Sequence, residues 1–139
     1  ILVRYRMNDL LRLDPTPCPC GTPLQAVSEI VGRMDDCFHL QGPGGAHMLT
    51  PDVLRNAVVM ADRRITDFRL IQTGPHTVML TLPKTVPQDA GVAVMHRLTA
   101  LFDARGVEAK ITVAHAPLPV DVTRKLRRVE CRVALEQQS

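Results

Sequence analysis

The chain has 139 residues, 45% of them hydrophobic, enough for one modest core plus an appendage. No run approaches the roughly 18 apolar residues that a membrane-spanning helix needs. The formal net charge of +3 is concentrated between Arg124 and Arg132, and with one Tyr, three Phe and no Trp the basic stretch lacks the stacking platforms of a single-strand nucleic-acid binder.

Ile1-Leu2-Val3 has no initiator Met, no basic leader followed by an apolar run and no small-residue cleavage site, which predicts a chain cut from a longer soluble protein. Residues 1–31 read as two short strands and a turn that belong to a larger body. Leu10, Leu11 and Leu13 flank Arg12, and Pro15, Pro17 and Pro19 exclude a continuous helix in the stretch that follows. From Gly32 the chain has periodic elements sufficient to fold independently. Cys37 to Leu40 reads as a short strand, and a Gly-Pro-rich turn then leads to a helix. Thr50 suits its N-cap, Pro51 its first position, and Asp52 complements the dipole. Val53, Leu54, Ala57, Val58 and Ala61 form the apolar face. Ile65 to Thr73 and Thr77 to Leu82 read as a hairpin around Gly74-Pro75-His76, with Val78, Leu80 and Leu82 on one face.

A longer helix is predicted from about Pro87 to Arg105, with Val94, Leu98, Leu101 and Phe102 at helical spacing and Gly106 as its stop. Residues 108–114 alternate, setting Ala109, Ile111 and Val113 opposite Glu108, Lys110 and Thr112. Val129, Cys131 and Val133 alternate with Glu130 and Arg132 and predict a terminal strand. The order is βαββαβ, which favours an α+β, ferredoxin-like sandwich with both helices on one face of an antiparallel sheet.

Three short segments stand out for their order. Tyr5-Arg6-Met7-Asn8-Asp9 comes first, then Gly32-Arg33-Met34-Asp35-Asp36, then the basic Arg124-Lys125-Leu126-Arg127-Arg128-Val129, with Pro17-Cys18-Pro19-Cys20-Gly21 between the first two. In this order they resemble the domain junction and C-terminal lid of adenylate-forming enzymes, and are most similar to the branch containing phenylacetate-CoA ligases and coenzyme F390 synthetases. Met7, Asn8 and Arg124 depart from that pattern, where Thr, Gly and Gly are frequent. The resemblance implies that residues 1–31 are the terminal strands of a large adenylation domain and 32–139 a mobile lid. The parent would use ATP with Mg2+ to convert a small carboxylic acid, aryl by resemblance, into an acyl-adenylate. It would then pass the acyl group to CoA or a carrier-protein thiol. A missing N-terminal adenylation domain is the implied partner, and the isolated chain would be inactive.

The resemblance carries roles to named positions. Tyr5 and Asp9 are nucleotide-binding, Asp9 accepting hydrogen bonds from the ribose hydroxyls with an acceptor-only carboxylate. Arg33 approaches ribose and phosphate with its planar fork. Asp35 is the hinge whose backbone rotation swings the lid between two poses. Lys125 is the catalytic cation inserted between carboxylate and α-phosphate when the lid is closed. Read without the resemblance, Asp9 and Asp35-Asp36 are turn formers, Arg33 a linker arginine and Lys125 part of a solvated basic run.

Of the four cysteines, at 18, 20, 37 and 131, only Cys18 and Cys20 are closely spaced, which fits a reduced, cytoplasmic setting better than a disulfide framework. The pair supplies either half of a structural Zn2+ site, completed by Cys or His of the missing large domain or, as a weaker local option, by Cys37 and His39, or two small residues filling a turn. Cys131 reads as core. The five histidines show no metal-ligand spacing, and Gly42-Pro43-Gly44-Gly45 lacks the ending of a phosphate loop, so it reads as a turn. A free-standing ferredoxin-like module that binds a small ligand or dimerises is the alternative reading, and a zinc-dependent interaction fragment a third.

Overall fold

The computed structural model describes residues 9–33, 36–118 and 127–133. Strands β1 (Asp9–Leu13) and β2 (Val27–Arg33) pair antiparallel across the connection 14–26. The expected two strands are present, and β2 carries the ladder through Gly32 and Arg33, beyond residue 31. Leu11, Leu13, Leu24, Val27 and Ile30 are exposed on this ribbon. An isolated two-stranded ribbon is marginally stable in water.

The next hairpin pairs β3 (Phe38–Gly42) with β4 (Gly45–Leu49) in unbroken antiparallel register. The sequence reading passed straight from the Gly-Pro turn to a helix and missed β4. Its exposed Gly45, Ala46 and Met48 dilute the alternation, although Leu49 is buried in the core. Pro43 and Gly44 form the turn, as expected of this stretch.

Helix α1 (Pro51–Val59) begins where predicted, with Thr50 at the N-cap position and Pro51 following, and buries Leu54, Ala57 and Val58. The cap itself is absent. The Thr50 side chain accepts no capping bond, and its buried Oγ1 has no partner among the described residues. Strands β5 (Arg69–Gly74) and β6 (Thr77–Leu82) form the expected hairpin, starting later than Ile65, which packs in the core as part of the preceding loop. Helix α2 (Gln88–Ala104) buries Ala90, Gly91, Val94, Leu98 and Phe102, and Gly106 ends its turn at φ 64°. Strand β7 (Lys110–His115) follows, then β8 (Val129–Cys131).

The principal sheet has the order β7-β6-β5-β8. Its central pair is antiparallel, and both outer pairs, β6 with β7 and β5 with β8, are parallel. The sheet is therefore mixed, where a ferredoxin-like antiparallel sheet was expected. Two physical reasons account for the difference. The β6-α2-β7 segment is a helical crossover, the connection that makes neighbouring strands parallel. Strand β3, the expected first strand of the sheet, satisfies its backbone elsewhere, on β4 and on a side chain of β5. The α+β class holds. Residues from both helices, the β3-β4 hairpin and Leu70, Val78, Leu80 and Leu82 of the sheet share one core.

The end of β3 is clamped between two loops. Gln41 donates its N–H to the Pro75 carbonyl at 3.0 Å, and Glu108 donates to the Gln41 carbonyl at 3.2 Å. The approach is so close that a Cβ at position 42 would run into the Gly106 carbonyl, which explains the glycine there. Among the described residues no helix is long and apolar enough to cross a membrane.

Candidate functional site

Of the sequence-predicted residues, Asp9 and Arg33 lie at the open end of the β1-β2 ribbon, and Cys18 and Cys20 in the loop at its other end. Asp9 and Arg33 are direct partners in the β1-β2 register, although 24 positions separate them in the sequence. Opposed residues in an antiparallel pair lie about 4.5–5.5 Å apart at Cα, so both positions occupy the same end of the ribbon. Asp9 is exposed there. Tyr5, Asp35 and Lys125 lie outside the described residues.

Asp36, next to Asp35, and Arg127, two positions after Lys125, are described, and they meet. Asp36 has φ 60°, a left-handed conformation that costs a non-glycine residue conformational energy. Its Oδ1 accepts a bond from Arg127 Nη1 at 3.4 Å, and the Asp36 side chain is 14% exposed. The expected hinge segment and the expected lysine segment thus approach each other at their described ends.

Asp67 holds the basic segment against the sheet. Arg128 Nε donates to Asp67 Oδ1 at 3.0 Å, Arg69 Nη1 donates to the same oxygen at 3.1 Å, and Leu70 donates its N–H to the Arg128 carbonyl at 2.7 Å. Partial burial pushes the Asp67 carboxyl upward. The bonds from Arg128 and the Phe68 N–H, with the charges of Arg69 and Arg128, outweigh burial and leave it below its ordinary value. A stable carboxylate here fixes Arg128, and β8 begins at the next residue.

Cys18 and Cys20 lie in the exposed loop between β1 and β2, with Sγ atoms 2.9 Å apart. Gly21, at φ 77°, donates its N–H to the Cys18 carbonyl at 3.0 Å and closes the turn. The bond from Cys18, with a further one from the Thr22 backbone, lowers the Cys20 thiol below its ordinary value. The sulfurs stand closer together than two ligands of one zinc ion. Two thiolates at about 2.3 Å from a tetrahedral zinc stand about 3.8 Å apart. Among the described residues no group of three or more His, Cys, Asp or Glu is placed to hold a metal ion, Zn2+ or Mg2+. Cys37 is buried in place.

Sequence reasoning passed over Gln72 and Asp67. Gln72 is fully buried on β5, where its Oε1 accepts the His39 N–H at 2.7 Å and its Nε2 donates to the His39 carbonyl at 2.8 Å. A polar residue between Leu70 and the turn, on the inward parity of a strand, was the available signal. His115, to which no chemistry was assigned, has a buried Nε2 without a partner among the described residues. It borders a cleft of about 250 Å³ with Gly91, Met95 and Val113.

No family model matches the chain, and no curated protein does. Among solved structures, it is similar to an open conformation of 2-hydroxyisobutyryl-CoA ligase in complex with 2-HIB-AMP and CoA, at 20% identity and a TM-score of 0.49. The match covers 88% of this chain and 27% of that ligase chain.

Proposed function

We propose that this chain is the C-terminal lid of an ATP-dependent, carboxylate-activating ligase together with the last strands of its large domain, in the manner of the phenylacetate-CoA ligase and coenzyme F390 synthetase branch. The observation that carries the reading is the meeting of Asp36 and Arg127. It brings together two motif segments some ninety residues apart that one lid would have to use in concert. The Asp9–Arg33 pairing supports it from the nucleotide side.

In this reading a carboxylate oxygen of the acid attacks the α-phosphorus of ATP, and the bond to the bridging oxygen breaks to release pyrophosphate. A thiol of CoA or a carrier then attacks the acyl carbon, and AMP departs with the bonding electrons. Asp9 accepts from the ribose hydroxyls, Tyr5 lines the nucleotide, and Arg33 contacts ribose and phosphate. Lys125 neutralises the charge that develops between carboxylate and α-phosphate, the task for which a mobile ammonium on a long stem is suited. Asp35 is the pivot. Exposed apolar side chains on the β1-β2 ribbon give a large domain surface to cover. The 139 residues alone are inactive in this reading, because acid pocket and phosphate loop belong to that domain.

Acid-dependent ATP–pyrophosphate exchange by the longer parent protein, over a panel of aryl and aliphatic acids, tests the reading. We expect exchange with at least one acid, and in Asp9→Ala a KM for ATP raised about tenfold or more by loss of charge-assisted bonds to the ribose. Absence of exchange with every acid would favour a ligand-binding module instead.

A further inference from the structure

We propose that Cys18 and Cys20 form a thiol–disulfide exchange site whose substrate is a small disulfide of the glutathione type. The two sulfurs already lie close together in an exposed loop. The 2.9 Å between the sulfurs is about 0.9 Å longer than a disulfide bond. Closing the pair therefore needs a small movement, and the loop is able to make it. Residues 14–26 connect β1 to β2 outside both strands, and Cys20 is exposed. Pro19 fixes one backbone angle between the two cysteines, and the Gly21 turn holds them on the same side.

The other two cysteines lack this accessibility. Cys37 is 2% exposed, and Cys131 is half-buried on β8 with its Sγ 3.4 Å from Gln72 Oε1.

Exchange proceeds in two displacements. Cys20, the more exposed thiol, attacks one sulfur of the small disulfide as its thiolate, forming a mixed disulfide and expelling one small thiolate. Cys18 then attacks the Cys20 sulfur and expels the second. The two cysteines together lose two electrons and two protons, and the small disulfide becomes two small thiols. A ring closed around a single residue is strained, and strained, exposed disulfides are the readily reduced ones, so the site responds reversibly to the surrounding redox balance.

The test is to equilibrate the full chain with mixtures of reduced and oxidised glutathione, quench by alkylation, and determine intact mass, peptide map and metal content. The expected result is a form lighter by two hydrogens, with a Cys18–Cys20 bond that dithiothreitol reverses and a single midpoint as the glutathione ratio is varied. In Cys18→Ser, which removes only the resolving thiol from an exposed loop, a glutathione adduct should accumulate on Cys20. Two alkylatable thiols at every ratio would overturn the proposal, as would stoichiometric zinc that shields both sulfurs.

Discussion

Gln72 does for β3 what a neighbouring strand would do. Its amide presents a donor and an acceptor in one plane, and both engage the backbone of His39, leaving Nε2 a further bond to the Gly74 carbonyl at 3.0 Å. Replacing it by Leu keeps the volume and strands a buried N–H and a buried carbonyl. Each unsatisfied group costs about 1–3 kcal/mol, so Gln72→Leu should lower the unfolding free energy by about 3 kcal/mol in a urea titration. A second prediction concerns the surface. Arg64 bonds to Asp62 at 2.6 Å and to Asp89 at 2.7 Å. The side-chain bond from Arg64, then its backbone N–H, depress the Asp62 pKa from 3.8 to about 2. A depressed carboxylate stabilises the fold above its unfolded pKa, and that contribution disappears as the pH falls toward 2. Carboxyl-carbon NMR titration should find Asp62 still ionised at pH 3, and an unshifted midpoint would remove the ion pair from the solution structure.

At the scale of elements, α1, α2, β6 and β7 were legible because each buries one face and its residues keep the period that burial demands: Leu54, Ala57 and Val58 in one case, Val78, Leu80 and Leu82 in another. Strand β4 was not legible. It faces the core mainly through Leu49, while Met48 is 43% exposed, so no alternation survives to be read. The order of strands was also hidden, since it depends on where β3 finds partners, and those partners are β4, a glutamine side chain, a loop carbonyl and a loop amide. Gly42 records that choice. With no room for a Cβ against the Gly106 carbonyl, Gly42→Ala must push β3 away from the α2-β7 loop. An overpacking cost of about 1–3 kcal/mol follows. Hydrogen exchange should speed up at Glu108, whose N–H bonds to Gln41, before it changes at the centre of β5 and β6.

Across the whole molecule, two regions differ in how they are stabilised. The part from Cys37 onward has a shared core of hairpin, helices and sheet, whereas the β1-β2 ribbon keeps Leu13 at 54% and Ile30 at 74% exposure. The deficit of a core in the first region was readable from its prolines and scattered leucines. The candidate site was readable in part. Motif order pointed to Asp9, Arg33 and the basic segment, but only the fold pairs Asp9 with Arg33 and sets Asp36 beside Arg127, because contacts between distant segments leave no trace in local periodicity. Asp67 escaped for the same reason: its partner Arg128 is sixty-one positions away.

The most direct test of the account separates two half-reactions in the longer parent protein bearing Lys125→Ala. Acyl-adenylate formation from acid and ATP should fall about 10²–10³-fold, the usual loss when one stabilising donor is removed from a developing charge. Thioester formation from a synthetic acyl-adenylate should stay within about twofold, since in the proposed reading the lysine acts before that step. Equal loss of both half-reactions, or loss of neither, would contradict the assignment of the basic segment as the adenylating edge of a lid.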